Sequence, residues 1–185
     1  MTVTDVNVVK SAIFERPDDA NKGILGSLLC VCGSYGMAGA AVMSAKGALR
    51  TGIGLAKCAL PRSIYPIVAQ TILESVYYPL SENADGKISK VNVPFLVSES
   101  CKSSATLVGC GLGVCDDTLK IVFSLIENST TPLVLDADAL NCVAKQPEIL
   151  LKKKVPIIIT PHPGEMSRLT GLATPVSYTH LRAHE

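Results

Sequence analysis

Apolar residues in this chain fall into short β-branched runs separated by stretches with helical spacing. Strand-like runs lie at 28–32, 55–60, 75–78, 106–108, 133–135 and 155–160, each short and apolar enough for burial on both faces, as parallel strands require. The clearest helix between them is 117–127, where Leu119, Val122, Phe123 and Ile126 recur at i, i+3, i+4 and i+7 and Asp116 or Asp117 stands as N-cap. Residues 128–132 end it. Strands alternating with helices predict a mostly parallel sheet with right-handed crossovers, hence a doubly wound, layered α/β domain. SENADG at 81–86 reads as an exposed turn, and the main body carries no internal repeat or low-complexity tract.

The most informative stretch is IIITPHPGEMSRLTG at 157–171. A β-branched run stops at Thr160, and two prolines bracket His162. Pro163 pushes His162 toward extended backbone and itself suits the first position of a helix, so His162 is expected near an N-cap. Glu165 falls in the first turn, Met166 and Leu169 supply the inward stripe, and Gly171 is placed to stop the helix. In open α/β sheets ligands bind at the carboxyl ends of the strands, so His162 and Glu165 are expected to face that crevice. The plainer alternative is that both only cap the helix.

Three further turns belong to the same edge. GSYGMAGA at 33–40 follows a strand and opens a helix, so its amides can cradle an anion, and Gly39 and Ala40 allow close approach. GCGLG at 109–113 follows the run TLV, but Val114 stands where the dinucleotide fingerprint needs its third glycine. LDADALN at 135–141 sends two carboxylates off the end of a strand, to hold a cation, orient a ligand hydroxyl or cap the next helix. Asp138 is the expected N-cap and Asp136 the expected site residue.

Composition narrows the class. The 185 residues are 48% hydrophobic and 18% charged, with a net charge of +1, which suits one domain, or a large piece of one, with a proper core. No basic stripe with interleaved aromatics is present, and Lys152, Lys153 and Lys154 fit a helix end, so nucleic acid is not an expected partner. The seven cysteines lack the spacing of a zinc site or disulfide framework and read as buried thiols in a reducing compartment, with Cys30 and Cys32 on one face of a strand. MTVTDVNVVK at 1–10 has no export signature, so the cytoplasm is expected. The uncharged stretch 23–45 is long enough to span a bilayer in a chain of mean hydropathy +0.35. Glycines at 23, 26, 33, 36 and 39 divide it into strand, loop and helix start instead, and no membrane association is expected.

With GSYGMAGA and the following ALRTGIGL, then GCGLG, LDADALN and TPHPGEMSRLTG in this order, the chain resembles the ADP- or ATP-dependent NAD(P)H-hydrate dehydratases from about Lys22 to Gly171. The resemblance implies a ribokinase-like, three-layer fold and repair of a damaged cofactor. In that reaction hydrated NADH or NADPH is returned to the normal dinucleotide, a hydroxyl being phosphorylated and then eliminated at the expense of ADP or ATP, with Mg2+. It implies contact with the hydrated dinucleotide from Ala40, a glycine of GCGLG and His162, and Mg2+ organised through water by Glu165. Combined with the turn chemistry, the candidate substrate-binding residues are Gly33, Ser34, Gly39, Ala40, Gly111, Gly113, Asp138, Asn141 and His162, and the candidate catalytic residues are Asp136 and Glu165. Cys110 departs from the family, which usually has proline there.

The family continues beyond this point to an adenine-nucleotide site and a Gly-x-Gly-Asp motif whose aspartate acts at the reacting hydroxyl; neither is in the sequence. Residues 1–172 are therefore expected to be a partial domain, incomplete at its C-terminus. Residues 173–185, with His180 and His184, read as a non-native tail. A fragment of this kind is expected to expose a sheet edge and to be inactive. The competing readings are a kinase of the same fold acting on a vitamin-type alcohol, and a fragment that only binds a dinucleotide or forms a homo-oligomer.

Overall fold

The computed structural model describes residues 23–172. Six strands, β1 Ser27–Val31, β2 Leu55–Pro61, β3 Val76–Leu80, β4 Ala105–Val108, β5 Leu133–Leu135 and β6 Ile157–Ile159, form one sheet in the order β3-β2-β1-β4-β5-β6. All five pairings are parallel. The helices are α1 Ala38–Arg50, α2 Tyr65–Thr71, α3 Val93–Cys101, α4 Asp116–Asn128, α5 Asp138–Val143 and α6 Pro163–Thr170. Two short 3-10 helices, Lys90–Asn92 and Pro147–Lys152, complete the connections.

The two-residue period of β1 explains the layers. Leu29 and Val31 point into a larger core with Leu96 of α3, Ile121 and Leu125 of α4, and Ala139 and Leu140 of α5. Cys30 and Cys32 point the other way, with Cys58, Leu60, Ala41 and Ala45 of α1, and Val68 of α2. Helices thus cover both faces, and the fold is the layered α/β domain that the alternation predicts, in the three layers that the resemblance implies. Cys30 stands level with Cys58 on β2 and Leu107 on β4, and the small thiols and alanines let α1 lie close to the sheet. All seven cysteines are free. Burial pushes the Cys30 and Cys58 thiols up.

Four details differ from the sequence reading. The edge strands are not covered on both faces: Ile158 of β6 is 59% exposed, and β3 begins one residue later and ends two residues later than the run that predicts it, taking in Pro79, which an edge strand tolerates. β6 is also shorter than 155–160. The N-cap of α4 is Cys115, in extended backbone with its N–H donated to Thr118 Oγ1 at 2.9 Å, while Asp116 and Asp117 lie in the first turn. Met166 is 42% exposed; the cap turns Glu165 inward, so positions 165 and 169 share the covered face and Leu169 meets the larger core. Residues 23–45 do fold as strand, loop and helix, and no described helix is long and apolar enough to cross a membrane. The reading of 1–10 and the tail 173–185, His180 and His184 included, lie outside the described residues.

Candidate active site

Because every strand runs the same way, the turns after β1, β3, β4, β5 and β6 all emerge on one rim. The chain leaves β1 toward β2 on one side and pairs β4 on the other, so the reversal point where α/β sheets bind ligands lies between GSYGMAGA and GCGLG. Those two turns are tied to each other. Gly33 N–H donates to the Cys110 carbonyl at 2.9 Å, and the buried Ser34 hydroxyl donates to the Gly111 carbonyl at 2.8 Å. Gly111 fits because a side chain there would strike Ala40 and Met37. Tyr35 N–H donates to the Gly86 carbonyl at 2.8 Å, which docks the SENADG turn against the first glycine turn.

LDADALN joins the same framework. Asp136 accepts from Thr160 Oγ1 at 2.8 Å and from Cys110 Sγ at 3.2 Å, so one carboxylate links the ends of β4, β5 and β6. Cys110 in turn bonds Cys32; that bond, ahead of burial, pushes Cys32 up, and it holds Cys110 down against burial and the Asp136 carboxylate. Asp138 is not the N-cap. Ala137 holds that position with φ +49° and ψ −115°, and Asp138 begins α5. Freed from capping, Asp138 accepts from Gly113 N–H at 2.8 Å and from Asn141 Nδ2 at 3.3 Å.

At the end of β6 the proline bracket does what its chemistry predicts. His162 is the N-cap of α6, with Nδ1 accepting from Gly164 N–H at 3.0 Å and its own N–H donated to Glu165 Oε2 at 2.9 Å. His162 Nε2 lies 3.2 Å from Glu165 Oε1. Glu165 is buried at 6% exposure, Pro163 fills the first helical position, and Gly171 ends the helix in the left-handed region at φ +71°. The capping alternative therefore holds for both residues, yet the His162 side chain remains 61% exposed on the rim.

A hollow of about 380 Å³ opens at this rim, lined by Tyr35, Gly36, Ala38, Gly39, Ser63, Ile64 and Ile67. It lies on the β1–β2 side and includes Gly39, whereas Asp136, Asp138, Asn141, His162 and Glu165 stand on the β4–β6 side. The candidate residues thus share one rim, and of them this hollow takes in Gly39 alone. Sequence reading missed Thr160 and Arg168. Thr160 looks like a strand's last residue, and Arg168 looks like a cation complementing a helix end; only the fold brings them to Asp136 and Asn141.

An Enterococcus faecalis ribokinase-like superfamily protein covers 90% of this chain with a TM-score of 0.75 at 19% identity, which establishes a ribokinase-like fold. The model of the NAD(P)H-hydrate dehydratase family matches residues 28–184, and the chain belongs to that family. A bifunctional NAD(P)H-hydrate repair enzyme of Thermofilum pendens is 37% identical over 156 residues, covering 84% of this chain and 30% of its own length. The Bacillus subtilis ADP/ATP-dependent NAD(P)H-hydrate dehydratase, co-crystallized with ATP/Mg2+, superposes with a TM-score of 0.70 at 28% identity, over 91% of this chain and 55% of that one. The chain therefore spans between about a third and just over half the length of these relatives.

Proposed function

We propose that this chain supplies the dinucleotide-binding rim of an ADP- or ATP-dependent dehydratase that restores hydrated NADH or NADPH. One observation carries the reading: two glycine turns, tied through Gly33 and Ser34 to Cys110 and Gly111, face each other at the reversal point of an all-parallel sheet, on the rim that also holds His162. Such turns let a dinucleotide backbone approach main-chain amides. Gly33, Ser34, Gly39 and Ala40 would line one side, and Gly111 and Gly113 the other. His162 would contact the ligand with the imidazole edge left exposed by its capping bonds. Asp136, both of whose oxygens are engaged by Thr160 and Cys110, would hold the turns in place. Asp138 and Asn141 would do the same for Gly113 and, through Arg168, for the last turn of α6.

Phosphoryl transfer needs positioning and charge neutralisation more than covalent help, and a rim of aligned turns suits that requirement. The Mg2+ implied by this reading finds no direct ligand set here. Among the described residues no group of three His, Cys, Asp or Glu side chains could hold a metal ion, and Glu165 spends one oxygen on the His162 N–H and sets the other beside its ring. We therefore assign no step to Glu165 beyond fixing His162. Seven free thiols suit a reducing cytoplasm.

The test is a thermal-shift titration followed by an assay with hydrated NADPH, ADP and Mg2+. Stabilisation by NADPH-type ligands but not by vitamin-type alcohols supports the dehydratase over the small-molecule kinase. His162→Ala is expected to cost about 1 kcal/mol of stability, the value of an N-cap, while weakening ligand binding roughly tenfold. Equal losses of melting temperature and affinity would reduce His162 to a cap.

A further inference from the structure

Arg168 carries a charge that no carboxylate among the described residues answers. Its Nε–H donates to Asn141 Oδ1 at 2.8 Å, and Asn141 Nδ2 donates to Asp138 Oδ1 at 3.3 Å. Asp138 Oδ2 then accepts the Gly113 N–H at 2.8 Å. Three residues from two different turns, Asn141 and Asp138 of LDADALN and Gly113 of GCGLG, are thus spent on orienting one guanidinium. Its immediate partner is a neutral amide, so the positive charge is steered without being cancelled. Among the described residues no carboxylate forms an ion pair with it. A side chain added at Gly164 would lie 3.7 Å from Arg168 Nη1, which sets the free end of the guanidinium beside the turn that carries His162.

A last-turn cation that only complemented a helix dipole would need no such clamp. A guanidinium has five donors in a planar fork, and one is used here, so the terminal nitrogens stay available to a bidentate oxyanion. We propose that Arg168, positioned by Asn141, binds a phosphate group of the ligand on the β4–β6 side of the rim. This rests on the dinucleotide reading above and deepens it: the glycine turns would take the backbone of the dinucleotide, and Arg168 a phosphate charge. Asn141 is then a positioning residue, although the sequence marks it only as a possible substrate contact.

The experiment uses the whole 185-residue chain, with NADPH and inorganic pyrophosphate as separate probes in thermal-shift and calorimetric titrations. Arg168→Gln is expected to raise the half-saturating concentration of both probes about tenfold, as loss of a charge-assisted hydrogen bond would, with little change in the unliganded melting temperature because the side chain is exposed. Arg168→Lys keeps the charge but loses the fork, and Asn141→Ala loses the clamp; both should fall between. The wild-type affinity should also weaken more steeply with added salt than that of Arg168→Gln. If NADPH binds wild type and Arg168→Gln equally, the proposal fails and the dinucleotide reading stands. If pyrophosphate binds through Arg168 but NADPH stabilises nothing, the anion site stands and the dinucleotide reading fails. If neither probe binds the wild type, Arg168 is only a helix-end cation and the proposal is overturned.

Discussion

A methyl group added at Gly39 and one added at Gly109 would meet opposite fates. At Gly109, with φ +125°, it would stand 1.9 Å from the Asp136 carbonyl and 2.7 Å from Ala139, so the turn after β4 can press against the start of α5 only while this residue is glycine. Gly109→Ala is expected to cost roughly 3 kcal/mol, read as a lower urea midpoint. Gly39 lies in helical backbone with nothing within 4 Å of an added Cβ, and the hollow opens beside it. Gly39→Ala should stabilise by about 0.5–1 kcal/mol, yet weaken NADPH binding if ligand fills that space. A gain in stability with unchanged binding would remove Gly39 from the site. The glycine pattern was plain in the sequence, but which glycine serves the chain and which leaves room was not, since each depends on atoms far along the chain.

Elements meet through one buried ion pair. Lys57, on β2, donates to Glu99 Oε1 of α3 at 2.8 Å and to Ser103 Oγ at 3.3 Å, and the Tyr78 hydroxyl of β3 donates to the same Glu99 oxygen at 3.2 Å. The Lys57 hydrogen bond comes first among the causes holding the Glu99 carboxyl below the usual range. A depressed native value means that this stabilisation is complete above the ordinary glutamate range and fades as pH falls through the native value. Melting temperature followed downward from pH 7 should therefore drop in the acid range, and Glu99→Gln should flatten that part of the profile. Removing the carboxylate outright, as in Glu99→Ala, should cost roughly 3 kcal/mol, because it leaves the Lys57 ammonium buried and unpaired. Lys57 falls inside the apolar run 55–60, and nothing along the chain points to its partner 42 residues away. The α6 segment is the opposite case. Pro163, His162, Glu165 and Gly171 settle its ends within ten residues, so it was readable, whereas the exposure of Met166 followed only from how the cap turns the helix.

Over the whole molecule, stability should grade outward from the middle of the sheet. β1 and β4 have strand neighbours on both sides, and Leu29, Val31 and Val108 are fully buried, while β6 has a partner on one side only and shows Ile158 and Ile159 to solvent. Amide exchange is expected to be slowest in β1 and β4 and fastest, among the strands, in β6. Uniform protection across all six would mean that the edge is covered in solution by another strand or another copy. The order β3-β2-β1-β4-β5-β6 was not written in the local pattern, which fixes that the strands are parallel but not which neighbour each one takes.

Local chemistry settled what each segment would be. Short, continuous apolar runs became strands, the i, i+3, i+4, i+7 stripe became α4, and the proline bracket put His162 at a cap, because those outcomes depend on backbone preference and on neighbours within a few residues. Only the tertiary structure decided where the segments met. It made Cys115 and Ala137 the caps in place of the expected aspartates and released Asp138 to hold Gly113. It also brought Arg168 against Asn141, 27 residues away. Such contacts arise when a parallel sheet gathers its turns on one rim, and the spacing of residues along the chain carries no record of them.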